Sequence, residues 1–123
     1  MAVVRTINGD VSPDTLGVVN AHDHLIRVGA GEVYIDPDHL LDDVDKAAQE
    51  ATYFVEASKS WAAGGTIIDM CPASSGRGVL KTLQVVEKVP GLQVVQATGF
   101  HQQKVDLEWR QSSVNQYLSL NHI

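Results

Sequence analysis

The feature that most constrains this chain is a regular alternation of short apolar runs with longer amphipathic stretches. Three runs have the length of buried strands: Gly17 to Leu25, Thr66 to Met70 and Leu92 to Phe100. Between them lie two stretches with helical periodicity. Asp36 to Ala63 is the longer, with Asp36 as cap, Pro37 at the first position and Asp38 complementing the dipole. Leu40, Val44, Ala47, Ala51, Phe54, Val55 and Trp61 follow a 3.6-residue period, Asp42 and Lys46 stand i, i+4, and Gly64-Gly65 ends the helix. The second stretch runs from Val79 to Val89, with Val79, Leu83 and Val86 inward and Pro90-Gly91 after it. The order is β-α-β-α-β, and both spacers are long enough for parallel crossovers.

The rest of the chain frames this core. Val3 to Ile7 and Asp10-Val11 flank Asn8-Gly9, a hairpin lead-in. Ser12-Pro13-Asp14 reads as a single capped turn, and Arg27 to Tyr34 as a loop. Ser113 to Gln116 has capping-box spacing, with Tyr117, Leu118 and Leu120 beginning an apolar face. A parallel sheet needs cover on both faces. Three strands with two full helices leave an edge open, so 1–123 reads as one partial α/β domain with no internal boundary.

Composition excludes several classes. Among 123 residues, 44% are hydrophobic, 20% are charged, the net charge is -6 and one is cysteine. This is neither a disordered chain nor a disulfide scaffold. Nine scattered lysines and arginines give no nucleic-acid footprint. No apolar run approaches the roughly 20 residues of a membrane span, and no secretory signal is visible. The lone Cys71 fits a reducing, cytoplasmic setting.

The residues able to do chemistry cluster at strand ends. His22 and His24 stand i, i+2 on a strand, which puts both imidazoles on one face. Two such rings can bind one divalent ion at about 2.0–2.1 Å each. The pair alone is weak, but it lies at the C-terminal end of its strand, where α/β folds place sites. Asp69 within an apolar strand needs a partner. It could orient a metal-bound histidine or accept backbone N–H groups at the strand end. His101 follows the third strand at the same rim, as a pocket or a loop residue. His39 reads as solvated and His122 as terminal. Gly76-Arg77-Gly78 before a helix could cradle an anion or serve as a turn. Cys71 reads as an inert buried thiol.

Taken together, several segments resemble the phosphotriesterase family of the amidohydrolase superfamily. They are Val4 to Asp10, Leu16-Gly17-Val18, Asn20-Ala21-His22-Asp23-His24-Leu25, Gly65 to Met70, Gly76-Arg77 and Ala97-Thr98-Gly99-Phe100. The resemblance implies the β lead-in and about three βα units of a parallel (β/α)8 barrel, which takes about 250 residues when complete. It implies a binuclear metal site, with zinc the natural ion, whose bridging hydroxide attacks an ester, lactone or phosphotriester. On this mapping His22 and His24 are metal ligands, and Phe100 and His101 line the substrate pocket. Asp23 stands where the family often has glutamate. The family's lysine strand and its later histidine and aspartate ligands have no counterpart in 1–123. The expected site is therefore incomplete and the chain alone inactive, with self-association through open edges. A non-catalytic module acting through protein interaction or anion binding is the alternative.

Overall fold

The computed structural model describes residues 2–100. The expectations for His101, the Ser113 capping box and His122 lie outside the described residues.

The lead-in is the hairpin that Asn8-Gly9 predicts. Strands β1 (Val4–Thr6) and β2 (Gly9–Val11) pair antiparallel, with Val4 opposite Val11 and Thr6 opposite Gly9. One 3-10 turn follows over Pro13–Thr15, with Pro13 at its start and no side-chain cap from Ser12. The core sheet is β3 (Val18–Asp23), β4 (Gly65–Asp69) and β5 (Leu92–Gln96), all parallel, with β4 in the centre. The third strand is shorter than its apolar run, which leaves Ala97 to Phe100 beyond the sheet.

The region between β3 and β4 differs from the single long helix of the sequence reading. Gly31–Ile35 forms a short helix, α1, where a loop was expected. Asp36 does cap, accepting from Asp38 N–H at 3.1 Å, but what it caps is one 3-10 turn over Pro37–His39. Leu41 is then extended and exchanges backbone hydrogen bonds with Arg27, at 2.9 and 3.1 Å. That long-range bridge interrupts the helix. Asp43 restarts it, accepting from Asp45 and Lys46 N–H, and α2 spans Val44–Ser58. The expected Asp42–Lys46 pair is absent because Asp42 faces Lys81 across the fold at 3.3 Å, while Lys46 meets Asp43 at 3.5 Å. Trp61 lies past the helix and is 86% exposed, so it is not part of the apolar face.

Helix α3 spans Val79–Lys88. Its inward face is Thr82, Val85 and Val86 rather than Val79 and Leu83, which are half-buried. The core joins Ala48, Ala51 and Val55 of α2 to Val85, Val86 and Val89 and to Ile67, Leu92 and Val94 of the sheet. Burying each of the larger side chains contributes about 1.5–3 kcal/mol. Both helices pack on each other and on this one sheet face. On the other face, Thr66 donates to Leu16 O at 2.6 Å and Gln93 to Thr15 O at 2.7 Å, so the lead-in turn covers the N-terminal end. Ile7 N–H donates to Val94 O at 2.8 Å, fastening the hairpin to the outer edge of β5. Val19 on the same open face is 41% exposed.

At the foot of the sheet three backbones nearly touch. A Cβ on Gly64 would lie 2.4 Å from Gly91 O, and one on Gly17 would lie 2.2 Å from Gly64 O. Both neighbours are main chain and cannot move aside without disturbing the strands. Gly64→Ala is therefore expected to cost at least about 1–3 kcal/mol, the range of overpacking. Urea unfolding checks it, and an unchanged midpoint would show that the strand ends have room to spare.

Candidate metal centre at the strand rim

The C-terminal ends of the strands form one rim, and local polar contacts shape it. On β3 the register slips between Asn20 and Asp23, so that Asn20 faces Ile67 while Asp23 already faces Asp69. This bulge re-aims the side chains that follow. Asn20 Nδ2 donates to Asp23 Oδ2 at 2.7 Å, and Asp23 Oδ1 accepts from His24 N–H at 2.8 Å. Asp23 O accepts from Met70 N–H at 2.8 Å, which ties the bulge to the end of β4. His22 and His24 then stand edge to face, with ring centroids 5.5 Å apart. His22 is exposed and His24 half-buried.

Behind His24 lies a buried polar cluster. Its Nδ1 is 3.0 Å from Cys71 Sγ, and both Cys71 and Asp69 have no exposed surface. Asp69 Oδ1 accepts from Cys71 N–H at 3.0 Å, and Oδ2 from Gln96 Nε2 at 3.4 Å. Gln96 also reaches Thr82 Oγ1 at 3.2 Å, which anchors the cluster to α3. The ligand atoms of His24, Asp69 and Cys71 all lie within 4.8 Å of one another. Burial raises the Asp69 pKa, opposed by the hydrogen bonds from Cys71 and Gln96. Burial, helped by the Asp69 charge, pushes the Cys71 thiol up to about 12. It is therefore a neutral thiol at physiological pH, as an inert buried cysteine would be. Burial lowers the His24 pKa, and the Arg27 charge adds to this.

In front of His24 opens a cavity of about 510 Å³, lined in part by Arg27, Glu32, His39, Met70 and Pro72. Of these, His39 was expected only as a solvated residue; it is exposed but stands at this cavity. Arg27 and Glu32 carry no local sequence signal of a site. Cys71 was legible as a strand-end residue, but its contact with His24 spans 47 positions. Phe100 is half-buried beyond β5. Gly76-Arg77-Gly78 serves packing: Arg77 donates to Ala97 O at 2.9 Å, and a Cβ on Gly78 would lie 2.5 Å from Val28 Cγ1 and 2.7 Å from Ile26 Cγ2.

This rim, on a parallel sheet with an antiparallel lead-in, is the architecture of a partial (β/α)8 barrel. The chain belongs to the phosphotriesterase family, which it matches over residues 2–118. It is 38% identical over 99 residues to a phospho-furanose lactonase of Mycoplasmopsis agalactiae, covering 80% of this chain and 27% of that protein. Among solved structures it is similar to a lactonase from Listeria monocytogenes, with 30% identity and a TM-score of 0.73, covering 89% of this chain and 33% of the other. An amidohydrolase from Mycoplasma synoviae matches at 38% identity and TM-score 0.72, covering 80% of this chain and 27% of that one. A Mycobacterium tuberculosis phosphotriesterase, 22% identical with a TM-score of 0.63, shares the fold. The chain thus spans about a quarter to a third of the length of these relatives. Among the described residues no helix is long and apolar enough to cross a membrane.

The depressed pKa of His24 has a defined sign. Because the folded value lies below the unfolded one, the neutral ring's contribution to stability is present above 6.5 and is lost as pH falls through the folded value. An NMR titration of the His24 ring is expected to give a midpoint below 6.5. A midpoint at or above that value would mean that burial and Arg27 do not control the ring.

Proposed function

We propose that this chain supplies the first metal ligands of a metal-dependent hydrolase that acts on a lactone or related ester, with phosphotriesters the wider family alternative. The observation that carries the reading is the His22–His24 pair at the C-terminal end of β3, within a chain 38% and 30% identical to two lactonases. The donor set fits a divalent ion: two adjacent imidazoles, one exposed, beside an open cavity. Imidazole suits zinc, iron, cobalt and nickel, and zinc is the proposed ion. When bound, such an ion supplies a nucleophile at neutral pH and polarises the bond under attack. The chain's own part is to present both rings on one face, to hold the bulge with Asn20 and Asp23, and to bound one side of the pocket. Asp69 supports the ligands from behind, and Phe100 and His101 are proposed pocket residues. The substrate is a small molecule, and the proposed setting is cytoplasmic.

The test replaces the matching segment of the Mycoplasmopsis agalactiae phospho-furanose lactonase with residues 2–100 of this chain. The hybrid is expected to keep metal-dependent lactone hydrolysis. His22→Ala and His24→Ala in it are expected to lose more than the roughly 10–100-fold typical of removing a ligand's supporting partner. A folded, active hybrid indifferent to both substitutions would remove these histidines from the site.

Two imidazoles leave the rest of a four-coordinate shell to water. A zinc titration of the 123-residue chain is therefore expected to show weak binding; submicromolar, stoichiometric binding abolished by His22→Ala would reveal ligands not identified above. The sheet's open face and edges are also expected to drive self-association. Size-exclusion chromatography with light scattering reads this, and a monodisperse monomer with a sharp melting transition would favour a self-sufficient domain.

A further inference from the structure

The metal role proposed above uses one nitrogen of His24 and leaves the buried thiol behind it without a purpose. Cys71 Sγ lies 3.0 Å from His24 Nδ1, has no exposed surface, and has its own backbone N–H fixed on Asp69 Oδ1 at 3.0 Å. Cys71 Sγ also lies within 4.8 Å of an Asp69 carboxylate oxygen. Asp69 is held in turn by Gln96, and Gln96 by Thr82 of α3. Each member is thus anchored to a different part of the core.

The chemistry of the groups gives this chain a direction. A carboxylate only accepts, and a thiol both donates and accepts. With the carboxylate as acceptor, the order these groups allow is His24 Nδ1–H to Cys71 Sγ, with the thiol proton turned toward Asp69. Histidines that bind metal commonly donate their second N–H to a carboxylate or carbonyl, which fixes tautomer and ring orientation. Here the carboxylate reaches the ring through a sulfur. A metal held directly by His24, Asp69 and Cys71 is disfavoured, because both Asp69 oxygens already accept from Cys71 N–H and Gln96 Nε2.

We infer that Cys71 is a positioning residue, which holds His24 as the Nδ1–H tautomer and leaves the Nε2 lone pair for a divalent cation. The inference rests on the metal reading for its purpose, but the tautomer itself can be measured without metal.

The experiment uses the 15N-labelled 123-residue chain at about pH 8, where an ordinary histidine is neutral. Long-range proton–nitrogen correlation of the His24 ring, assigned with His24→Gln, is expected to show a protonated Nδ1 and an unprotonated Nε2. Cys71→Ser, which keeps a group that donates and accepts, is expected to preserve that pattern. Cys71→Ala is expected to give a mixture of tautomers, a change that loss of packing volume alone would not produce. An Nε2–H tautomer in the unsubstituted chain overturns the inference, and this holds even if Cys71→Ala does not fold. So does an unchanged tautomer in folded Cys71→Ala, and so does a sulfur-to-metal charge-transfer band on adding cobalt(II), which would make Cys71 a ligand. A fixed Nδ1–H tautomer in a chain whose His22 and His24 never respond to cobalt supports the positioning role and sinks the metal reading instead.

Discussion

The structure depends on the end of its central strand. Asp69 closes β4, and it is bonded through both main chain and side chain. Its carbonyl accepts from Ala97 N–H at 2.8 Å, which carries the chain past β5. Its carboxylate accepts from Cys71 N–H and Gln96 Nε2. One residue on, Met70 N–H binds Asp23 O and fixes the bulge of β3. A fully buried carboxylate is costly unless satisfied. The three strand ends are therefore drawn to one polar knot, and the rim takes its shape from that knot.

The site follows from this arrangement. Parallel pairing brings all three C-terminal ends to one side, and the helices cover only the face of Ile67 and Val94. The bulge turns His22 and His24 so that their rings meet. Burial keeps the Cys71 thiol neutral and lowers the His24 pKa, and it raises that of Asp69. The thiol and the imidazole are held uncharged, while the hydrogen bonds that Asp69 accepts from Cys71 N–H and Gln96 oppose the push of its burial. An imidazole kept neutral is what a metal ligand requires.

Much of this was legible in the sequence, because strand length, glycine punctuation and the Asn8-Gly9 turn act locally. The β-α-β-α-β order and the hairpin needed nothing else, and the ordered motifs from Val4 to Phe100 resembled the family to which the chain belongs. Failures came where distant parts meet. Asp36-Pro37 is a sound helix start, yet the Arg27–Leu41 bridge ends that helix after one turn, and Asp43 starts another. The inward face of α3 rotated onto Thr82 and Val85 because Gln96 and the sheet, not hydropathy alone, set its seat. Of the two roles open to Gly76-Arg77-Gly78, the turn holds: Gly76 closes the preceding 3-10 turn, and Gly78 caps α3 and packs on Ile26 and Val28. The Cys71–His24 contact had no local signal, since 47 positions separate the partners.

If the rim histidines at the end of β3 meet a divalent ion, that contact can be read directly in solution. Weak binding does not hinder the most direct measurement, paramagnetic broadening of the histidine ring signals by substoichiometric manganese(II). The His22 and His24 rings are expected to broaden first and together, ahead of His39. Broadening centred instead on the acidic start of α2, around Asp42, Asp43 and Asp45, with the rim rings left sharp, would contradict that contact.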